Sequence, residues 1–158
     1  MRKSERGFTL IELLIVIAII AVLAAVVFVA LNPAQRFQQA RDARRQSDIE
    51  NVAAALKMYQ LDNDGDYPTG VAALTDALYY TIGTAATGCD AGCTAKTTQA
   101  ACIDLADLVT GGYLGSVPMD PLDGLATESD YYMVKNANGT LEVGACDPEI
   151  ETSIFVLR

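Results

Sequence analysis

From Leu13 to Leu31 the chain runs through 19 consecutive apolar residues, 14 of them Leu, Ile, Val or Phe. As a helix this run is apolar on every side, so no face of it suits water. At 1.5 Å per residue it is about 28 Å long, close to the hydrocarbon thickness of a bilayer. The pattern therefore predicts a helix over 8–31 that lies in lipid or among sibling helices. Arg2, Lys3 and Arg6 precede it, and basic flanks favour the cytoplasmic side, which predicts a cytoplasmic N-terminus. The apolar core of an ordinary signal peptide is shorter, roughly 7–15 residues. Cleavage after Ala24, with Val22 two positions before it, is the signal-peptide alternative.

The second half of the helix reads differently. Asn32-Pro33 interrupts the run, and Pro33 predicts a kink because it removes one helical hydrogen bond. Asn32 as a cap with Pro33 opening a separate helix is the other reading; periodicity resumes at once, which favours a kinked continuation. Ile49, Val52, Ala53, Leu56 and Tyr59 then form one apolar stripe at helical spacing. Residues 32–61 are thus expected to be amphipathic, and a single helix over 8–61 would be about 80 Å long.

Beyond it, Asp62-Asn63-Asp64-Gly65-Asp66-Tyr67-Pro68 reads as a polar turn. Its acidic spacing imitates a calcium loop, but the glycine falls one residue early and position 73 is Ala, which excludes an EF-hand. Weak helical spacing is found over 71–80, a Thr/Gly/Ala-rich loop over 81–98, and a second short helix over 100–109 that ends at Gly111-Gly112. Tyr131–Lys135 and Thr140–Val143 flank Asn136-Ala137-Asn138-Gly139, a hairpin signal, and Ser153–Leu157 is a third strand. The turn also accounts for the Asn138-Gly139-Thr140 sequon. The expected fold class is α+β, a long N-terminal helix packed by its second half on a small antiparallel sheet.

Charge divides the 158-residue chain in the same place. Residues 1–60 hold 8 basic and 5 acidic side chains, whereas residues 61–158 hold 3 and 15. A body this acidic repels phosphate backbones, which argues against direct nucleic-acid binding. With no histidine, His triads and His metal sites are excluded. No other catalytic constellation stands out, so neither enzyme activity nor a cofactor or metal is expected. The basic cluster from Arg36 to Arg45 reads first as a solvated face, and otherwise as a surface lying against the acidic bodies of neighbouring copies. Cys89, Cys93, Cys102 and Cys146 are even in number and lie in the part expected outside the cell, which points to two disulfides. Of three connectivities we favour Cys89–Cys93 as a local staple, with Cys102–Cys146 tying the second helix to the sheet.

Glu12 stands one residue before the apolar run. A carboxylate at a helix centre costs about 3 kcal/mol in a membrane, while the 14 large apolar residues return roughly 6, so insertion tolerates Glu12 without needing it. A cut between Gly7 and Phe8 would create an amine four residues before Glu12, able to neutralise it within one chain or across two staggered chains. Arg6-Gly7-Phe8-Thr9-Leu10-Ile11-Glu12-Leu13 resembles the leader and cleavage site of type IV prepilins and type II secretion pseudopilins. The resemblance implies a leader over 1–7, cleavage after Gly7 by a prepilin peptidase, N-methylation of Phe8, and a role for Glu12 in registering each subunit in a helical filament. It further implies a membrane and filament-core half over 8–31, an amphipathic half over 32–61 and an exported acidic domain over 62–158. Assembly would draw on lipid before extraction and on an inner-membrane platform and ATPase. The main reading is a pilus subunit, exposed as an extracellular filament, and the alternative is a major pseudopilin forming a periplasmic piston. Gly112–Pro121 also resembles the family's connector, but Leu122-Asp123-Gly124 stands where major pseudopilins often carry Trp-Gly. A monomeric membrane-anchored domain is the remote alternative.

Overall fold

The computed structural model describes residues 7–158, and the basic part of the leader, Met1–Arg6, lies outside the described residues. The chain forms two compact units, Met1–Phe37 and Gln38–Arg158.

In the first unit, helix α1 spans Leu10–Leu31 and buries none of its residues. It starts two residues later than expected because Thr9, in extended backbone, caps it. It ends at Asn32, which adopts a left-handed conformation at φ 40°, one that asparagine tolerates better than most residues. Pro33 is the first residue of helix α2, Pro33–Asp62. The Arg36 N–H donates to the Asn32 carbonyl at 3.3 Å, so helical bonding resumes immediately after a single-residue break. The long helical path from Leu10 to Asp62 is thus interrupted at one residue, with proline at a position where its missing N–H costs nothing.

The second unit is built on the stripe of α2. Ile49, Val52 and Leu56 are buried and enter a core with Val71, Ile103, Leu105, Leu108, Met133 and Val143; Ala53 is buried too, and Tyr59 packs against the core's edge. The sheet has four strands, β1 (Tyr79–Thr81), β2 (Tyr131–Lys135), β3 (Leu141–Ala145) and β4 (Phe155–Leu157), in the order β1-β2-β3-β4, each antiparallel to the next. The hairpin turns where expected: the Gly139 N–H donates to the Asn136 carbonyl at 2.9 Å, and Gly139 takes φ 81°. Opposite Tyr132 on β3 stands Gly144, where a Cβ would lie 2.4 Å from the Tyr132 ring. The ring thus occupies the volume that any side chain at 144 would need.

Two helical expectations shorten. Over 71–80 only α3, Thr69–Ala72, is helical, and Tyr79–Thr81 instead forms the first strand, paired with Tyr132–Val134. Two adjacent tyrosines and a threonine suit a pleated surface, and the pairing offered by β2 outweighs four residues of weak helical spacing. The second helix contracts to α4, Ala106–Thr110; the Asp104 side chain accepts the Ala106 N–H at 2.8 Å and so sets its start.

The disulfides correct the favoured connectivity: the pairs are Cys89–Cys102 and Cys93–Cys146. The segment after β1 folds back on itself. The Cys89 N–H donates to the Ala100 carbonyl at 3.0 Å, while the Thr81 and Thr98 hydroxyls donate to the Cys89 carbonyl at 2.9 and 2.7 Å. The fold-back brings Cys89 beside Cys102 rather than Cys93. The Ala95 N–H then meets the Cys146 carbonyl at 3.0 Å, which leaves Cys93 next to Cys146.

Candidate functional site

Gly7, Phe8 and Thr9 lie outside helix α1. A Cβ on Gly7 would meet nothing within 4 Å, and Phe8 is 89% exposed, so the Gly7–Phe8 peptide bond stands open and non-helical. Thr9 and Glu12 form a reciprocal cap. The Thr9 N–H and hydroxyl both donate to Oε2 of Glu12, at 2.8 and 2.7 Å, and the Glu12 N–H donates back to the Thr9 hydroxyl oxygen at 3.3 Å. Two amide donors that a helix start leaves unpaired are satisfied in this way. Oε1 of Glu12 accepts no hydrogen bond, and no cation pairs with Glu12 among the described residues. Sequence reasoning singled out Glu12 and passed over Thr9. The signal was present, since Thr-x-x-Glu just before an apolar run is a capping box.

A second polar assembly ties α2 to the body. Arg45 is the largest fully buried side chain of the described residues. It grips Asp120 with two parallel bonds, Nε to Oδ2 at 2.5 Å and Nη2 to Oδ1 at 2.9 Å. Its Nη1 donates to Asp42 Oδ1 at 2.8 Å and Glu149 Oε2 at 2.9 Å. Arg41 holds the same Glu149 through Nε and Nη2, each at 2.5 Å. Asp42 also accepts the backbone N–H groups of Glu149, Ile150 and Glu151 at 3.0, 2.7 and 3.1 Å.

The electrostatics follow from these partners. Hydrogen bonding to Arg41 and then Arg45 lowers Glu149 to about 2 against the cost of burial. For Asp42, burial acts upward, but the three N–H donors and Arg45 outweigh it and hold the carboxyl below its usual range. Burial also opposes the charge on Arg45, yet Asp120, Glu149 and Asp42 raise its pKa well above normal.

This corrects the solvated-face reading of the basic cluster for Arg41 and Arg45. Residues 42, 45, 49, 52 and 56 lie on one stripe of α2, with the charged pair at its N-terminal end. The spacing of the apolar stripe, continued two turns back, would have found them. Arg44 does stay largely exposed, 3.7 Å from Asp48. Pro33 opens α2, and the four cysteines brace the body's loops. Among the described residues no group of three or more His, Cys, Asp or Glu side chains is arranged to hold a metal ion.

Comparison with known proteins centres on the N-terminal site. Residues 2–28 match the prokaryotic N-terminal methylation motif. The chain is 44% identical over 62 residues to type II secretion system core protein G of Pseudomonas aeruginosa, covering 39% of this chain and 42% of that protein. Over 72 residues it is 44% identical to a type IV wide pilus major component of Thermus thermophilus, covering 46% of this chain and 53% of the relative. These local matches span about half the length of the relatives concerned. A longer match, 31% identical over 142 residues, covers 89% of this chain and 79% of core protein G of Vibrio cholerae. No solved structure matches the chain.

Proposed function

Because the chain belongs to the family of type IV pilins and type II secretion pseudopilins, we propose that it is a filament-forming structural subunit, and specifically the major pseudopilin of a type II secretion system. The observation that carries the finer reading is the length of the match to core protein G of Vibrio cholerae, which runs through the body and not only the motif. The pilus reading keeps one specific support, the wide-pilus relative from Thermus thermophilus, whose match covers 72 residues.

In this reading a prepilin peptidase hydrolyses the exposed Gly7–Phe8 bond, and the new amine of Phe8 is methylated. The chain is a substrate of that chemistry and has no catalytic role of its own. Before assembly, α1 anchors the subunit in the inner membrane with the leader in the cytoplasm. Loss of the leader removes three basic residues and one acidic residue, and with them the charges that hold that end at the cytoplasmic face. An assembly platform and an ATPase then draw the subunit into a filament whose core is α1.

Glu12 sets the register. Its Oε2 is engaged by Thr9 while, among the described residues, Oε1 has no partner, so the carboxylate can keep its cap and still accept the Phe8 amine of the neighbouring subunit. A carboxylate–ammonium pair in a low-dielectric core is favourable only when the geometry closes, which makes it a register mark rather than a general adhesive.

The test is Glu12→Ala in the native host. N-terminal sequencing and intact mass should still give a chain that starts at methylated Phe8, whereas filaments should fall at least tenfold. A mature chain starting at Met1 or Ala25 would sink the processing reading, and normal filaments from the variant would sink the register role. Deleting the gene decides between the two systems: loss of protein export supports the pseudopilin, and loss of surface filaments with export intact supports the pilin.

A further inference from the structure

Glu128 and Asp130 lie in the loop that leads into β2, and both face the backbone of Gly92 in the segment between Cys89 and Cys93. A Cβ placed on Gly92 would lie 2.5 Å from Oε1 of Glu128 and 3.2 Å from Oδ1 of Asp130. The two oxygens crowd one point, and only the lack of a side chain at 92 leaves room for them. Oε1 of Glu128 is buried without a hydrogen-bond partner. Asp130 is 8% exposed, and among the described residues no hydrogen bond or ion pair reaches its carboxyl group.

The backbone holds Asp130 in place. It sits at φ 60°, and its carbonyl accepts the Cys146 N–H at 3.0 Å, next to the Cys93–Cys146 bridge. The charges that act on it most strongly are acids, Asp123, Glu128, Asp147 and Asp120. The Asp147 carboxyl takes the Thr94 hydroxyl, Asp120 is gripped by Arg45, and Lys96 on the same segment is engaged with Tyr79 and Glu142. The buried Asp130 carboxyl, beside the buried Oε1 of Glu128 and without a cation, is costly to ionise.

We propose that Asp130 holds a proton that it donates to Oε1 of Glu128, and that this proton fastens the Cys89–Cys93 segment to the start of β2. With the proton present, the Asp130 hydroxyl donates to Oε1 of Glu128 and the orphaned oxygen gains its partner. With the proton lost, two anions face each other across Gly92 and the segment loosens. Burial first, then Asp123, Glu128, Asp147 and Asp120, push Asp130 up to about 7. An aspartate in an unfolded chain titrates near ~3.9. Between those values the folded body binds more protons than the unfolded chain, so this pair makes stability fall as pH rises from about 4 to 7. The device concerns the body alone and does not depend on the filament reading.

The experiment uses the full chain in detergent, as wild type, Asp130→Asn and Glu128→Gln, with thermal melts at pH 5 and pH 8 and hydrogen exchange of residues 89–98. The wild type is expected to melt several degrees lower at pH 8. Its segment should exchange about tenfold faster there once the intrinsic rate is removed. Asp130→Asn should raise the pH 8 melting point and abolish most of the difference, because its amide donates to Glu128 at both pH values. Glu128→Gln should shrink the difference without abolishing it, because burial and Asp123 still act on Asp130. The proposal is overturned if Asp130→Asn keeps the wild-type pH dependence, or if it lowers the melting point equally at both pH values. It is also overturned if millimolar calcium at pH 8 stabilises the wild type but not Asp130→Asn, since the occupant would then be a metal and not a proton.

Discussion

Helix α1 and the middle of α2 each carry a charge where the surrounding pattern calls for carbon, and they settle it in opposite ways. Glu12 is satisfied from three residues away, by Thr9, before any other part of the chain is involved. Arg45 is satisfied by Asp120 and Glu149, which lie 75 and 104 residues further on, with only Asp42 supplied locally. The local solution leaves the charge exposed with one oxygen open, so it stays usable by a partner. The long-range solution buries the charge completely, so it serves only the fold. If Glu12 acts between molecules, as proposed above, capping by its own turn is what keeps its charge from being consumed by its own core.

The largest expected effect breaks the long-range solution. Arg45→Ala leaves Asp42 and Asp120 buried without their cation, a loss of roughly 3–5 kcal/mol, and the body should unfold many degrees lower in a thermal melt. Because Glu149 is held at about 2, its share of the clamp is present above its unfolded value near ~4.3 and is lost as pH falls from there toward 2. Acid unfolding of the wild type should therefore steepen over that window, and that component should shrink in Arg45→Ala and be missing when Arg41 is replaced as well.

Next come the bridges. Opening Cys93–Cys146, with a sequence separation of 53, should cost about 4 kcal/mol by loop entropy, against about 3 for Cys89–Cys102, separated by 13. Denaturant melts of the two paired Cys→Ser variants check both the order and the connectivity. Reversed sizes would argue that the fold-back segment, not chain entropy, dominates.

The smallest effect sharpens the local solution. Thr9→Ala removes the cap and should cost about 1 kcal/mol of helix stability, visible as fraying of the first turn in hydrogen exchange. If the cap also orients the open oxygen of Glu12, filament yield should fall by less than in Glu12→Ala while cleavage stays normal.

What could be read from the chain follows the same local and distant division. The apolar run, the 49–59 stripe, the hairpin around Gly139 and the strand over 131–135 each follow from spacing within a dozen residues. The N-terminal site was legible in the same way, except that Thr9 was passed over. Tyr79–Thr81 became a strand only because β2, some 50 residues later, offers it a partner. The cysteine pairing depended on a fold-back that no spacing rule encodes. Arg45 was taken for surface because an arginine on a polar helix is ordinarily solvated, and its three carboxylate partners are scattered over most of the body. The Glu128–Asp130 pair was invisible for a related reason: the room for its two oxygens is left by Gly92, on a separate loop.

The grip of Asp42 on the backbone of residues 149–151 also decides how the body carries tension. Its carboxylate takes three N–H groups at once, and Arg41 and Arg45 clamp the same stretch from either side of it. A pull applied along α2 reaches the loop before β4 through bonds loaded side by side. They share the force and must fail together, whereas strands peeled from an edge give way one bond at a time. A subunit hauled by its helix would thus stretch first at the single-residue break of Asn32 and last at its anchored sheet.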